Sequence, residues 1–378
     1  MTTIAIITSH APSLVHFRAS LIESLRAKGV EVFALAPNYD AATRAAVLNL
    51  GATAVDCAMD RTGMNPAIDA WNTWQLTRLL RRLRPDITLG YFVKPVVFGT
   101  LAAWLAGVPR RFAMIEGLGF AFTPTAETRS IKRVLLKRLV TELYRIGLRQ
   151  ASRVIFLNPD DRSELINAGA LSVKKSFLLG GIGVDLEKWP MSAPIVKPVT
   201  FLLVARLLRE KGIEQYAAAA RLIIKKNLQA RFILLGSLDD NPGSITRNEV
   251  QKWVDDGILE WHGHVPVQPW LMQASVFVLP SYYREGVPAS TQEAMAMGRP
   301  VITTDVPGCR DTVVNGVNGF LIPPRDVEAL AEKMEIFIQR PDLIHTMGQA
   351  SRGIAEERFN VHEVNGRLLD LILCDSVR

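Results

Sequence analysis

The sequence predicts an α/β protein built from two Rossmann-like domains. Three observations predict it. Short apolar runs alternate with longer amphipathic segments, the pattern of parallel strands joined by crossover helices. A turn-rich stretch interrupts this pattern midway, after which it restarts. The length, 378 residues, is more than one hydrophobic core usually serves.

In chain order, Ile4–Thr8, Val32–Ala36, Ile87–Gly90, Arg111–Ile115 and Val154–Leu157 read as buried strands of the first half. Each is too short and too continuously apolar for an amphipathic helix. Leu14–Lys28, Met64–Leu83, Pro95–Ala106 and Arg129–Arg149 read as the helices between them. Gly180, Gly181, Gly183, Pro190, Pro194 and Pro198 then cluster as a linker. The second half opens on Phe201–Ala205 and continues with strands at Phe232–Gly236, Ile258–His262, Val276–Leu279 and Val301–Thr303. Residues 341–372 read as helical. The expected domains are 1–185, 186–350 and a returning segment 351–378. Ligands of such folds sit at the carboxyl ends of the strands, so a cleft between facing domains is the expected site.

Composition narrows the class. Hydrophobic residues make up 48% and charged residues 21%, a globular profile rather than a disordered one. The net charge of +7 suits an anionic partner. No zinc-finger, RRM or KH pattern supports nucleic acid as that partner. Three scattered cysteines, Cys57, Cys309 and Cys374, form no zinc-type cluster and fit a reducing compartment. No signal peptide and no 18-residue apolar run is seen, so a cytoplasmic protein is expected, peripheral on the inner membrane if membrane-bound.

The chemistry concentrates in SYYREGVPASTQEAMAMGRPVITTD. Glu285 falls on a loop after one strand and Glu293 on the first turns of the next helix. Between them stand Gly286, Val287 and Pro288, with Pro288 suited to an early helical position. Free N–H groups at a helix start attract phosphate, so a phosphate there would have one carboxylate on each side. Upstream, in VARLLREKGI, Arg206 follows a strand and Lys211 precedes Gly212 and a helix. A guanidinium fork and an ammonium at a strand end can hold a diphosphate.

The E-x7-E spacing, set in EGVPASTQEAMAMGRPV, resembles the signature of retaining GT-B glycosyltransferases of the family-4 type. VARLLREKG resembles that family's diphosphate-binding segment. The resemblance implies a GT-B fold, two facing Rossmann-like domains with a C-terminal helix crossing back to the first. It implies that Arg206 and Lys211 neutralise the leaving nucleoside diphosphate. Glu285 would contact the donor sugar and Glu293 the ribose hydroxyls. Gly286, Val287 and Pro288 would offer backbone contacts, with Gly236 and His262 lining the base and ribose pocket. No metal or other cofactor is expected, since no DxD triplet occurs.

The first half departs from the family pattern. SHAPSLVHFR replaces the glycine-rich loop after the first strand. It offers His10, His16 and Arg18 as candidate acceptor contacts, with His16 and Arg18 suited to a diphosphate. GYFVKPVVFGTLAAWLAGVPRRFAMIEGLGFAFT resembles a subgroup from bacterial capsule, O-antigen and glycoprotein pathways that acts on undecaprenyl-diphosphate-linked acceptors. Lys94 and Glu116 fall at strand ends there, and a carboxylate at 116 can orient or deprotonate a hydroxyl. Residues 129–153 carry eight basic residues and one acid over an apolar stripe, a pattern for an anionic membrane surface. The expected partners are therefore a nucleoside diphosphate sugar, which the subgroup resemblance implies is UDP-linked, a lipid-linked saccharide and a membrane. A sugar-nucleotide epimerase or hydrolase, and a non-catalytic scaffold, remain open on the sequence.

Overall fold

The computed structural model describes residues 1–374 except 61, 62, 64, 125–130, 240 and 242. The chain divides into two units. One is Met1–Ile182 together with the chain from Val361 onward, and the other is Gly183–Asn360.

The first unit holds seven strands: β1 (Thr3–Ile7), β2 (Glu31–Ala36), β3 (Thr53–Asp56), β4 (Ile87–Tyr91), β5 (Arg110–Ile115), β6 (Arg153–Phe156) and β7 (Ser176–Leu178). They form one parallel sheet in the order β3-β2-β1-β4-β5-β6-β7. Ile4, Ala5 and Ile6 are fully buried, as expected of a strand covered on both faces. Helices α1 (Pro12–Ala27) and α2 (Ala41–Asn49) pack together, serving the leftward crossovers. Helices α3 (Pro66–Leu83), α4 (Thr100–Ala106), α5 (Ile131–Arg149) and α6 (Pro159–Asn167) serve the connections that move the other way. Right-handed crossovers put those four on the opposite face.

Two predicted helices of this unit differ in detail. The segment expected as one helix from Pro95 is a π-helical turn, Pro95–Gly99, followed by α4. The widened turn lies against Gly147 of α5, where a Cβ would stand 2.7 Å from the Val97 Cα. Helix α3 begins with Pro66 at N1 and the Asn65 side chain accepting from the Ala67 N–H. The expected helix starts at Met64 and Arg129 lie outside the described residues.

The second unit holds six strands: β8 (Val199–Val204), β9 (Ala230–Leu235), β10 (Glu260–Trp261), β11 (Val276–Leu279), β12 (Val301–Thr304) and β13 (Gly319–Ile322). All are parallel, in the order β10-β9-β8-β11-β12-β13. Its helices are α7 (Ile213–Lys225), α8 (Arg247–Asp255), α9 (Gln268–Gln273), α10 (Ala289–Ala296), α11 (Val327–Gln339) and α12 (Asp342–Arg358). The core runs from Phe201 and Phe232, stacked at 5.5 Å, through Tyr216 to Met334 and Phe337.

The end of the chain is helical, as expected, and it is divided into α12 and a further helix. Helix α12 stops at Phe359, whose carbonyl accepts from the Val184 N–H at 2.7 Å. Helix α13 (Val361–Leu369) then packs on α1, with Asn365 donating to the Ser20 hydroxyl at 3.1 Å. The change of unit thus falls after Asn360 rather than after 350, because α12 packs on α10 in the second unit. Among the described residues no helix is long and apolar enough to cross a membrane.

Candidate active site

In the second unit the strand order reverses between β8 and β11, and the loops leaving these two strands flank the switch point. Doubly wound sheets bind ligands at such a point. The loop after β8 carries Arg206 and Lys211, and the loop after β11 carries Glu285.

Lys211 and Glu285 form an ion pair, with 14% and 11% of their side chains exposed. The Ser281 hydroxyl also donates to this carboxylate, at 2.9 Å. The Lys211 Nζ lies 5.4 Å from the Tyr283 ring centre. The two loops are tied further by the Glu210 carbonyl, which accepts from the N–H groups of Tyr282 and Tyr283. Gly212 sits at φ 76°, where a Cβ would meet the Pro280 carbonyl oxygen at 2.1 Å. That close approach is what brings the start of α7 under the β11 loop.

Arg206 stands at the rim, its side chain 41% exposed, and its Nη1 donates to Asp239 at 2.6 Å. Asp239 in turn accepts from the Asn241 N–H at 3.1 Å. The neighbouring backbone is laced to the Arg206 loop, Leu207 N–H to Ser237 and Ile245 N–H to Leu207.

Glu293 lies on α10, a helix otherwise buried at Thr291, Gln292, Ala294, Met295 and Ala296. Among the described residues no hydrogen bond or ion pair reaches its carboxyl group. Burial without a partner pushes its pKa up to about 8. Pro288 is the residue before the helix, at φ −61° and ψ 125°, rather than inside its first turn. The Val287 carbonyl accepts from Gln292 Nε2 at 3.1 Å, which ties this loop to α10. Gly308, from the loop after β12, packs so closely that a Cβ would stand 2.2 Å from the Gly286 carbonyl oxygen.

Gly236 ends β9 at φ 148°, its N–H bonded to the Gly263 carbonyl at 2.8 Å. His262 stacks on Trp270 at 4.0 Å and lies 3.4 Å from Glu260 Oε2. These residues line up along the carboxyl ends of β9 and β10, beside the Arg206 loop.

The first unit places its candidates differently. Arg18 is not a free diphosphate ligand. It is 3% exposed, ion-paired with Glu116 and lies 4.5 Å from the Tyr91 ring centre. Burial pulls its pKa below the usual guanidinium value. Glu116 therefore carries a full cation against it, which opposes a role as proton acceptor. The helical turn explains the outcome: His16 is exposed, while Arg18, two residues on, points into the sheet. Tyr91 completes the cluster, its hydroxyl 2.8 Å from that of Ser13. Lys94 is likewise occupied, 2.7 Å from Asp69, with both side chains about one-tenth exposed. His10 lies half-buried after β1, on the loop at this unit's own switch point.

Two family models match this chain. Residues 198–340 match the model described as glycosyl transferases group 1, and residues 15–174 match the glycosyl transferase 4-like domain. The chain belongs to this glycosyltransferase family. It is a GT-B enzyme, and the two matches fall one on each unit.

Among curated proteins, this glycosyltransferase is 28% identical over 347 residues to the N,N'-diacetylbacillosaminyl-diphospho-undecaprenol alpha-1,3-N-acetylgalactosaminyltransferase of Campylobacter jejuni, covering 88% of each chain. It is 26% identical to the UDP-Gal:alpha-D-GlcNAc-diphosphoundecaprenol alpha-1,3-galactosyltransferase of Escherichia coli, covering 79% of this chain and 78% of that one. Among solved structures, Anabaena HepE in complex with UDP and glucose superposes with a TM-score of 0.77 at 17% identity, over 98% of this chain and 99% of that one. Sucrose-phosphate synthase from Thermosynechococcus elongatus gives 0.78 at 19% identity, over 98% of each chain. At these identities the structures speak for the fold.

Sequence reasoning missed the partners of the glycosyltransferase's charged residues. Asp239, Asp69 and Ser281 were not singled out, though each holds a residue that was. Asp239 follows a strand end in the same way as Arg206, and that position is the signal that points to it. Arg299 was missed as well. It is fully buried, and its guanidinium donates to the Leu271 and Ser192 carbonyls at 2.8 and 2.7 Å, fixing the chain just past α10.

Proposed function

We propose that this glycosyltransferase moves a hexosyl or N-acetylhexosaminyl group from a nucleoside diphosphate sugar, most simply a UDP-sugar, to a polyprenyl-diphosphate-linked saccharide in surface polysaccharide or glycan assembly. The observation that carries the reading is the convergence of Arg206, Lys211, Glu285 and the α10 start at one switch point. The relatives' substrates, diphospho-undecaprenol-linked sugars in both cases, support the acceptor class.

The donor diphosphate lies against Arg206 and Lys211. Asp239 takes only Nη1 of Arg206, which leaves Nη2 and Nε to face phosphate oxygens. Lys211 keeps two N–H donors besides the one on Glu285. As the bond from the anomeric carbon to the diphosphate oxygen breaks, charge grows on that oxygen. Cations already fixed at that place stabilise it without reorganising. Glu285, at the mouth of α10, accepts from donor-sugar hydroxyls, and Glu293 accepts from the ribose diol once ionised. The acceptor hydroxyl enters on the face the diphosphate leaves, with retention of configuration, and a donor phosphate oxygen takes its proton. Glu116, held by Arg18, orients the acceptor rather than deprotonating it. The basic apolar-striped stretch 129–153 meets the anionic cytoplasmic leaflet in which such acceptors reside.

The test is a thermal-shift series with UDP, GDP, ADP and their sugars on wild type and Arg206→Ala. Ligand that binds only the folded state raises Tm by mass action. A shift with uridine nucleotides alone, absent in the variant, is the expected result. No shift with any nucleotide, with or without lipid-linked acceptor, overturns the reading.

A further inference from the structure

Helices α3, α4 and α5 lie side by side on one face of the first sheet, and their outward sides share an unusual chemistry. Trp71, Trp74 and Trp104 are 56%, 45% and 46% exposed. Trp71 and Trp74 stack at 4.8 Å on the outside of α3, where Ile68, one turn earlier, is also exposed. Nothing in the fold of this unit needs three tryptophans in solvent. The four other tryptophans of the chain are partly buried.

Exposed cations share α3 and α5, one of them against a tryptophan ring. Arg78, whose guanidinium lies 4.8 Å from the Trp74 ring centre, and Arg82 are exposed on α3. Lys132, Lys137 and Arg138 are exposed on α5, among the exposed Leu135 and Leu139. Among the described residues Glu142 is the one exposed acid on the three helices, and Arg145 pairs with it. The Arg81 guanidinium donates to the Leu105 carbonyl at 2.9 Å, joining α3 to α4 into one surface.

We infer that the outward face of α3, α4 and α5 is a single docking surface for an anionic phospholipid bilayer, anchored by Trp71, Trp74 and Trp104. The inference rests on the lipid-linked acceptor proposed above and extends the contact from the 129–153 stretch to two further helices. Tryptophan rings settle at the headgroup level, with an apolar body and a polar N–H edge. Cations interleaved among them draw anionic headgroups, each worth about five-fold in partitioning near the surface. A protein partner of ordinary composition would meet aromatic residues at a core depleted of lysine, with both charge signs at the rim. Here the exposed charges of α3 and α5 are cationic apart from Glu142, which Arg145 pairs, and α4 between them adds only apolar surface and Trp104; that decides for the bilayer.

Co-sedimentation of the full chain with phosphatidylglycerol/phosphatidylethanolamine vesicles tests it, with phosphatidylcholine vesicles as control. Brominated phospholipid serves as a quencher of tryptophan fluorescence. The variants are Trp71→Ala/Trp74→Ala/Trp104→Ala and Arg78→Glu/Arg82→Glu, both at exposed positions with Tm as the check on folding. Wild type should bind the anionic vesicles, lose that binding in high salt, and be quenched. The tryptophan variant should bind at least ten-fold more weakly and the charge variant should lose its preference for anionic lipid. Vesicle binding by the tryptophan variant equal to wild type overturns the inference. So does a wild-type dimer that falls to monomer in that variant, which would assign the face to a second copy of the chain. The nucleotide-induced Tm shift should be the same in all variants. A missing shift with vesicle binding intact would fail the donor reading and leave the membrane face standing.

Discussion

The ammonium of Lys211 is paired with the carboxylate of Glu285, 74 positions later in sequence, and the pair bridges the loops after β8 and β11. In the proposed reaction its two charges face the sugar diphosphate. Removing one charge should therefore cost chemistry and stability together. In Lys211→Met, kcat should fall about 100-fold or more, as for the loss of one preorganised charge at a developing anion. Tm should fall too, because Glu285 is left buried with its Ser281 bond but without its cation. Steady-state kinetics and melting on the same preparation check both.

Arg206→Ala should separate the two effects. The Arg206–Asp239 pair sits at a rim position, and exposed pairs contribute about 0–1 kcal/mol. The unliganded Tm should hardly move, while the stabilisation by nucleotide disappears. Asp239→Asn should weaken nucleotide binding less than Arg206→Ala does, which titration calorimetry measures.

Glu293 should couple donor binding to pH. Its carboxyl titrates near 8 in the free fold, well above an unfolded glutamate. The folded state thus binds the extra proton, so this group's contribution to stability is complete below the unfolded value and is lost as pH rises toward 8. Glu293→Gln should melt higher than wild type at pH 8 and nearly equally at pH 4. Because ribose hydroxyls favour the ionised form, uridine nucleotide should bind more tightly as pH rises from 6 to 8, with proton release at pH 7. Calorimetry in buffers of different ionisation enthalpy reads that release, and Glu293→Gln should abolish it.

Gly308→Ala should damage the site from outside it. At φ 81° alanine is strained, and its Cβ would push the carbonyl of Gly286, next to Glu285. A loss of about 2 kcal/mol of stability is expected from the backbone alone, with donor affinity falling beyond what unfolding explains. Chemical denaturation and nucleotide titration distinguish the two.

Besides orienting the acceptor, the Arg18–Glu116 pair should hold the fold of the first unit. Glu116→Gln leaves a buried guanidinium without its counter-charge, a change that costs about 3–5 kcal/mol. Arg18→Met/Glu116→Leu should recover much of that, since apolar side chains can replace a buried pair. Transfer activity surviving in the double variant would mean that no step depends on Glu116.

Much of this arrangement was legible in the residues. Strand and helix order followed from apolar runs such as Ile4–Ile7 and Phe201–Val204, because both-face burial leaves an unmistakable continuous run. Arg206, Lys211, Glu285 and Glu293 stand out in the sequence because their segments resemble family signatures, and the structure places the first three on the loops after β8 and β11 and the last on α10. Weak signals went unread: β7 and β13 are three- and four-residue edge strands with little apolar run to mark them. The pairing of charges was not legible either. Nothing local to SHAPSLVHFR tells that Arg18 turns inward to a carboxylate 98 positions away, since only the sheet order places β1 and β5 on one level. Exposed Trp71 and Trp74 look in sequence like any helix aromatics meant for a core.

The return of α13 to α1 makes the first unit discontinuous along the chain, while the second is one unbroken stretch. During synthesis, therefore, the piece translated first is the piece completed last. The surface of α1 around Ser20 stays bare until Asn365 has been made, although Gly183–Asn360 already has every strand of its own sheet. A message or protein cut short between these points would yield a finished second unit carried beside an unfinished first one. Given the donor site proposed for the second unit, such a product would keep that site while lacking a completed partner unit, so binding could outlast activity.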